Sequence, residues 1–270
     1  MSADRAAQQV HRRREERSGE AFAALSGCGP STLGVLRSAR SDGFASRRGL
    51  FGCGTLRDGD GEPLRPGGLT LTRALIDRAS FCAGETVADV GCGLGASTRL
   101  LLGRGVAAIG VDLVVPSDTR ARGGAPPLVV ADAVRLPFAD DSLDGVLSEC
   151  GLSLSVDRGL ALAEWRRALR RGGRLALSDV YCRAGGAAGQ IATRDALCAD
   201  IAAAGLCVEW FEDRSDALKG WAARFIFQFG SLDALWGDDC PLGQGSLGKA
   251  RLGYALLIAT KSGERAAAGG

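Results

Sequence analysis

The chain has 270 residues, of which 46% are hydrophobic and 24% are charged, and its formal net charge is +2. This length allows one sizeable α/β domain with appendages or two small domains. A charge so near balance argues against a nucleic-acid partner, and no apolar run has the length of a membrane-spanning helix. Since the N-terminus also has no signal-peptide core, we expect a cytoplasmic protein without a membrane partner; its oligomeric state stays open.

The cysteines and the histidine narrow the possible chemistry. The nine cysteines form no CxxC pair, so we expect thiols and no structural metal site. The one histidine is His11, near the start of the chain. A Ser-His-Asp triad or a histidine-rich metal centre is therefore excluded.

Composition divides the chain into three parts. Ala6–Leu25 is charged and alanine-rich, as in a helix with a thin apolar face, and Ser26–Gly68 is dominated by Gly, Ser, Arg and Pro without periodicity. Residues 1–66 are therefore expected to form a mobile N-terminal extension or, alternatively, a flap over an active site. Residues 67–262 form the expected domain, and residues 263–270 a disordered tail. Within the domain, 213–250 is an unusually long connection between the last two strands. Its apolar stripe predicts a helix that is part of the core, a cap over an acceptor pocket, or both.

From Glu85 onward the pattern alternates between strand-like and helix-like segments, which is typical of an α/β fold with a mostly parallel sheet and helices on both faces. Helices are expected from near Thr70 and over 97–103, 157–171 and 193–204. Strands are expected at 86–91, 107–112, 127–131, 144–149, 174–180, 206–212 and 253–260.

A glycine-rich turn follows the first strand. Gly91, Gly93 and Gly95 alternate directly before a helix-forming segment. Glycines in this position let the backbone approach a ligand where a Cβ atom would collide. The spacing fits both a dinucleotide site, Gly91-x-Gly93-x-x-Ala96, and the tighter form found in methyltransferases, so it predicts a cofactor site without naming the cofactor.

Two acidic residues follow the next two strands. Asp112 lies within the roughly 20-residue interval from the glycines at which a carboxylate binds ribose hydroxyls. Asp132 follows the third strand, where it could accept the adenine amino group or form a turn. Both nicotinamide cofactors and S-adenosylmethionine carry adenosine, so these residues alone do not separate them.

The chain from Thr70 to about Thr260 resembles the class I S-adenosylmethionine-dependent methyltransferases of the methyltransferase type 11-like group. Four segments carry the resemblance, in this order: Ala88-Asp89-Val90-Gly91-Cys92-Gly93-Leu94-Gly95, Gly110-Val111-Asp112, Ala131-Asp132-Ala133 with Leu136-Pro137-Phe138, and Leu169-Arg170-Arg171-Gly172-Gly173-Arg174-Leu175. The resemblance implies a Rossmann-like fold whose last strand is antiparallel, and transfer of a methyl group to a small-molecule acceptor.

The resemblance also implies roles for particular residues. Asp112 would bind the ribose, while Asp132 and Ala133 would contact the adenine. Glu149 and Cys150, at the end of the fourth strand, would face the transferred methyl group as catalytic residues. The methionine part of S-adenosylmethionine would be surrounded by Asp89, Gly91, Gly93 and Gly95.

Three alternatives stay open. Cys150, in the stretch Ser148 to Leu154, resembles the ligand cysteine of arsenite methyltransferases, although Glu149 and Ser153 depart from that pattern; a thiolate suits a soft metalloid. A methyltransferase-like scaffold that binds ligand without catalysis is the second. An NAD(P)-dependent oxidoreductase is the third, but neither Tyr181 nor Tyr254 has a lysine four residues later, so the usual proton donor is missing.

Overall fold

The computed structural model describes residues 65–113, 126–155, 157–184, 191–229 and 251–262. Most of the predicted N-terminal extension, the part of the long connection from 230 to 250 and the predicted tail from 263 lie outside these residues. None of the described helices combines the length and the apolar character needed to cross a membrane.

Helices and strands alternate along the described chain as the pattern predicts. The helices are α1 (Gly68–Ala79), α2 (Ala96–Leu102), α3 (Arg158–Ala168), α4 (Arg194–Ala203) and α5 (Ser215–Phe229), and a short 3-10 helix spans Leu152–Leu154. The strands are β1 (Thr86–Val90), β2 (Ala107–Asp112), β3 (Leu128–Val130), β4 (Leu143–Glu149), β5 (Leu169–Cys182), β6 (Leu206–Asp213) and β7 (Leu252–Lys261).

These strands form one seven-stranded sheet in the order β3-β2-β1-β4-β5-β7-β6. The pairs from β3 to β5 are parallel, and β7 runs antiparallel between β5 and β6. The predicted Rossmann-like fold with an antiparallel last strand is confirmed. The order reverses beside β1, and ligands in open α/β sheets bind at such a switch point.

Helices cover both faces of the sheet, also as predicted. On one face, α1 and α2 contribute buried apolar residues such as Leu75, Ile76 and Leu101, and α5 packs Leu218 against the same cluster. On the other face, α3 and α4 contribute Trp165 and Ile201. Strands β1, β4 and β7 are buried from both sides, so their apolar runs are nearly continuous, whereas most residues of the edge strands β3 and β6 are not fully buried.

The segment between α3 and β5 differs from the prediction. The helix expected to reach 171 ends at Ala168, and Leu169 already has an extended backbone. The pairing of β5 with β4 then jumps from Leu169 opposite Leu143 to Arg174 opposite Gly145, and Gly172 has a φ of 71°. Arg170 and Arg171, which the sequence pattern places at the end of a helix, therefore lie in the irregular first part of β5.

Helix α5 occupies the first part of the long connection before β7. Trp221 and Phe225 are buried, whereas Ile226 is 44% and Phe227 is 95% exposed. The apolar stripe thus contributes to the core through two of its large side chains. The prediction of a cap over an acceptor pocket concerns the whole connection 213–250, of which residues 230–250 lie outside the described residues, and it stays a prediction.

Candidate active site

The glycine-rich turn between β1 and α2 adopts a conformation that favours glycine. Gly91, Gly93 and Gly95 have φ values of 79°, 53° and 72°. A Cβ atom on Gly91 would stand 3.5 Å from the Cα atom of Gly151, at the end of β4. The turn therefore leaves bare backbone between the ends of these two neighbouring strands.

Asp112, the last residue of β2, is fixed by this turn. Its Oδ2 atom accepts a hydrogen bond of 2.8 Å from the backbone N–H of Gly93. The backbone N–H groups of Gly91 and Cys92 donate to the carbonyl oxygen of Val111, at 2.8 and 3.2 Å. The predicted ribose-binding carboxylate and the glycine turn are consequently joined by hydrogen bonds.

A cleft opens at the carboxyl ends of β1 to β4 and brings several predicted binding residues together. Bare backbone, small apolar side chains and two carboxylates line it: Val90, Gly91, Val111, Asp112, Leu113, Ala131, Asp132, Ala133, Gly151, Leu154 and Ser155. Of the predicted cofactor-binding residues, Gly91, Asp112, Asp132 and Ala133 belong to this lining. Gly93 contributes through its bond to Asp112.

The wall formed by Asp132 and Ala133 is held by its own turn and by a buried tryptophan. Oδ1 of Asp132 accepts a hydrogen bond from the N–H of Val134 at 3.2 Å, so this residue both forms a turn and lines the cleft. The indole N–H of Trp165, which is fully buried on α3, donates to the carbonyl oxygen of Ala133 at 3.0 Å. Sequence reasoning gave no role to Trp165.

Asp89 lies beneath the glycine turn, not among the residues that line the cleft. Its Oδ2 atom accepts a hydrogen bond of 2.6 Å from Thr98, in α2. Burial raises the pKa of Asp89 to about 7, the nearby charge of Glu149 adds to the rise, and the hydrogen bond from Thr98 opposes it. The structure places Asp89 where it anchors the start of α2 to β1.

Glu149, the last residue of β4, is enclosed by three donors. Thr72 donates to its Oε1 at 2.9 Å and Ser97 donates to its Oε2 at 2.5 Å. Arg65 forms an ion pair with Oε2 at 3.1 Å, and the Glu149 side chain is only 5% exposed. As a general base, Glu149 would first have to lose these partners.

Arg65 ties this cluster together, although the sequence placed it in the N-terminal extension. Its Nη2 donates to Thr72 at 2.6 Å and to Ser97 at 2.9 Å. The cluster therefore joins the segment before α1 to the start of α2 and to the end of β4. No motif or spacing in the sequence indicates that these residues meet.

Cys150 is held in a strained position directly after Glu149. Its φ is 56°, its N–H donates to the carbonyl oxygen of Ser178 at 2.7 Å, and its Sγ lies 3.2 Å from Oη of Tyr254. Burial, with the charge of Asp179, raises the pKa of the thiol to about 12. Cys150 is therefore a protonated thiol at neutral pH, which is the weaker form for binding a metalloid.

The described part of the chain offers no cluster of metal ligands around this thiol. Among the residues that the structure describes, no group of three or more His, Cys, Asp or Glu side chains could hold a metal ion. Each cysteine in this part of the chain is free. The alternative of an arsenite site at Cys150 therefore lacks a set of three such ligands among the described residues.

A family profile for the methyltransferase domain matches residues 88–177, from within β1 to the middle of β5. The matched part contains the glycine turn, Asp112, Asp132 and Ala133, and thus the described cleft. Over these residues the chain is therefore similar to methyltransferase domains. This confirms the resemblance found in the sequence.

Curated methyltransferases match part of the chain. It is 35% identical over 131 residues to the methyltransferase GfsG of Streptomyces halstedii, a match that covers 45% of this chain and 47% of that protein. It is 34% identical over 124 residues to the O-methyltransferase rstn1 of Aspergillus nomiae, covering 43% of this chain and 55% of the other. The chain thus spans about half the length of these relatives.

The fold is similar to that of solved structures. A crystal structure of the cyclase SpnF superposes with a TM-score of 0.59 and 22% identity, covering 71% of this chain and 80% of that one. At this level of identity the likeness concerns the fold alone.

The cleft fits the cofactor of this family. S-adenosylmethionine is a nucleoside with a charged amino-acid arm, and the bare backbone at Gly91 forms a passage that a Cβ atom would narrow. Asp112 and Asp132 supply acceptors for hydroxyl and amino donors, and small residues such as Ala131 and Ala133 leave room for a flat ring. These two hydrogen-bond acceptors suit the hydroxyl and amino donors of adenosine.

Proposed function

We propose that this protein transfers the methyl group of S-adenosylmethionine to a small-molecule acceptor. The observation that carries the proposal is the cleft in which Gly91, Asp112, Asp132 and Ala133 come together at the switch point of the sheet. Asp112 would accept hydrogen bonds from the ribose hydroxyls, and Asp132 from the adenine amino group.

The cofactor, when bound, supplies an activated methyl group, so the protein mainly has to align the reactants and exclude water, which contributes up to roughly 7–11 kcal/mol. The residues at the end of β4 are consistent with a reaction that needs alignment and exclusion of water more than acid–base catalysis. Glu149 is enclosed by donors and Cys150 is protonated. Neither side chain is poised to remove a proton from the acceptor.

This arrangement favours an acceptor that ionises readily, such as a phenolic or enolic hydroxyl. Relatives with O-methyltransferase in their names, including rstn1, support an oxygen acceptor. A matched pair of acceptors tests the point: a phenol and an aliphatic alcohol of similar size should differ strongly in rate at neutral pH. Equal rates would show that the protein supplies its own base.

The central experiment combines binding and product analysis. Isothermal titration should show binding of S-adenosylmethionine and of S-adenosylhomocysteine, and no binding of NAD. Mass spectrometry of reactions with a panel of small acceptors should then detect methylated products. Binding of NAD alone would contradict the proposal.

Experiments on the same purified protein distinguish two alternative functions from the proposed one. A scaffold that binds the cofactor without methyl transfer would give binding but no product over a broad acceptor panel. An arsenite methyltransferase that uses Cys150 would bind trivalent arsenic and lose that binding in Cys150→Ser. The variant Cys182→Ser is the matched control, since Cys182 is buried and bonded to the carbonyl of Ile191.

A further inference from the structure

The buried hydroxyl group of Tyr254 has no role in the function proposed so far. Tyr254, on β7, is only 1% exposed, and so is Ser178, on β5. Oη of Tyr254 donates a hydrogen bond of 3.0 Å to Oγ of Ser178 and lies 3.2 Å from Sγ of Cys150, which directly follows β4. These three residues, the Tyr254 trio, therefore link neighbouring strands inside an otherwise apolar cluster.

Cys150 is the member of the trio whose backbone is strained. Its φ of 56° lies in the left-handed region, which is unfavourable for a residue with a Cβ atom. Such a conformation persists only where the surroundings enforce it, and strain of this kind clusters at functional sites. Ser178 supplies part of the constraint, because its carbonyl oxygen accepts a hydrogen bond of 2.7 Å from the N–H of Cys150. A cysteine that only filled space in the core would not need this conformation.

The hydrogen bonds of the trio also orient the thiol proton. A tyrosine hydroxyl has one proton, and that of Tyr254 is donated to Ser178. The contact between Sγ and Oη is therefore completed by the proton of Cys150. The raised pKa of the thiol agrees with this direction, because it keeps the proton on sulfur. The thiol is consequently turned toward Tyr254, and the lone pairs of the sulfur are left free.

The order of the strands places the trio beyond the adenosine end of the cleft. Asp132 follows β3, Asp112 ends β2 and the glycine turn follows β1, and β4, β5 and β7 come next in the sheet. An adenosine with its base at Asp132 and its ribose at Asp112 directs its 5′ sulfur onward, toward the end of β4. Gly151 lines the cleft there, and Cys150 before it is partly exposed. An acceptor opposite that sulfur would lie over β4, β5 and β7.

We propose that Tyr254 is a positioning residue for methyl transfer: its hydroxyl, held by Ser178, fixes the Cys150 thiol beside the point where the acceptor meets the methyl group. A neutral thiol is a small, polarisable contact, and it does not compete with the acceptor because the thiolate is the reactive form. The inference rests on the proposed function, since it concerns the acceptor side of the same site. Tyr254 acts through Cys150 and does not itself touch the acceptor.

The test measures the S–H stretching band of Cys150 in the full chain by infrared difference spectroscopy. Subtracting the spectrum of Cys150→Ser isolates the band, because serine can keep the hydrogen bond to Tyr254 but has no S–H group. The probes are S-adenosylmethionine and S-adenosylhomocysteine, which differ only in the methyl group and its positive charge. We expect S-adenosylmethionine to shift the band more than S-adenosylhomocysteine does, since only the former places a cationic methyl group beside the sulfur.

The variant Tyr254→Phe removes the hydroxyl and keeps the ring. The band should then move to the frequency of a thiol without a hydrogen bond, and the difference between the two ligands should disappear. The Kd of S-adenosylhomocysteine should stay within about twofold. The matched control is Tyr181→Phe, since Tyr181 is the other tyrosine of the chain, is also buried, and has its hydroxyl bonded to Asp213. This control should leave the Cys150 band and its response to ligands unchanged.

Kinetics add a second readout once the acceptor panel has shown a phenol that is methylated. With that phenol, Tyr254→Phe should lower kcat at least about tenfold, because a small misplacement of reacting groups is enough for such a loss. Cys150→Ser, which keeps a partner for Tyr254, should retain more activity than Cys150→Ala. The infrared comparison needs no acceptor and decides the inference by itself.

The possible results separate this inference from a purely structural role. If both ligands bind but shift the band equally, or shift it not at all, Cys150 does not lie at the methyl group and the inference is wrong. If Tyr254→Phe moves the band but preserves the difference between the ligands, Tyr254 has only a structural role. If Tyr254→Phe does not fold, Ser178→Ala releases the same hydroxyl, and an unchanged ligand difference in that variant overturns the inference. Binding of neither ligand would overturn the proposed function as well.

Discussion

The carboxylate of Asp112 accepts a hydrogen bond of 2.8 Å from the backbone N–H of Gly93, which joins the end of β2 to the glycine turn after β1. The bond leaves the carboxylate in the lining of the cleft. It orients the side chain before any ligand arrives, and preorganisation of this kind reduces the entropic cost of binding.

We expect Asp112→Ala to weaken S-adenosylmethionine binding at least about tenfold, because it removes charged acceptors for the ribose hydroxyls. Titration calorimetry measures the change, and thermal unfolding should show that the fold is retained. Asp216→Ala is the control, since the Asp216 side chain is 73% exposed and lies on α5. Unchanged affinity in Asp112→Ala would remove the ribose assignment.

A second prediction concerns the bare backbone of the cleft. Gly91→Ala should lower the affinity for S-adenosylmethionine, because its methyl group would occupy the space that the bare backbone leaves to the ligand. The side chain at a φ of 79° should also lower the stability by about 1–2 kcal/mol. Gly220→Ala is the matched control. Gly220 lies inside α5 with no atom within 4 Å of an added Cβ, so this variant should gain about 0.5–1 kcal/mol of stability and bind normally. Normal binding by Gly91→Ala would argue against a ligand at this turn.

The wall of the cleft gives a third prediction. Trp165→Phe removes the donor to the carbonyl of Ala133, which should cost about 1–3 kcal/mol of unfolding free energy and raise the Kd of S-adenosylhomocysteine. Trp221→Phe, in the buried face of α5, should lower stability without changing that Kd. Urea unfolding and titration calorimetry on both variants separate the two effects. If Trp165→Phe and Trp221→Phe change the Kd of S-adenosylhomocysteine equally, the position of Ala133 does not matter for binding.

The fourth prediction is a pH dependence that originates at Asp89. Its pKa in the folded protein is raised from 3.8 to about 7, so the folded state binds the proton more tightly than the unfolded state does. The contribution of Asp89 to stability is therefore greatest below about pH 4 and is lost as the pH rises to about 7, by up to about 4 kcal/mol.

The variant Asp89→Asn isolates this contribution, because the amide oxygen can still accept the hydrogen bond from Thr98. Unfolding free energies from urea titrations between about pH 4.5 and pH 8 should decrease with pH more steeply in the unmodified protein than in the variant. Asp216→Asn controls for the loss of a surface charge. Parallel curves for the unmodified protein and Asp89→Asn would show that Asp89 titrates normally.

Sequence patterns predict those parts of the fold and the site that depend on residues close together in the chain. The glycine turn, Asp112 and Asp132 follow consecutive strands at fixed intervals, and parallel strands bring their carboxyl ends to one edge. The alternation of strands and helices in the sequence is therefore enough to predict that these residues lie close together. The end of α3 was missed because Arg170 and Arg171 suit a helix terminus as well as the irregular start of β5.

The Arg65 cluster could not be predicted in this way. Thr72 and Glu149 are separated by 77 positions in the chain, and Arg65 and Ser97 by 32. Their contacts depend on how α1 packs across the sheet, and a hydroxyl or a single arginine leaves no periodic trace in the sequence. Trp165 was missed for a similar reason, since a buried tryptophan on an apolar helix face reads simply as core.

The two outer strands of the sheet have a consequence for the behaviour of the protein at high concentration. Strand β3 has only three residues, and β6 carries acidic side chains at Glu209, Glu212 and Asp213. Because edge strand β3 is short and edge strand β6 is negatively charged, a strand of a neighbouring molecule pairs poorly with either of them. Self-association of the folded protein, where it occurs, should therefore proceed through helical surfaces and not by extension of the sheet.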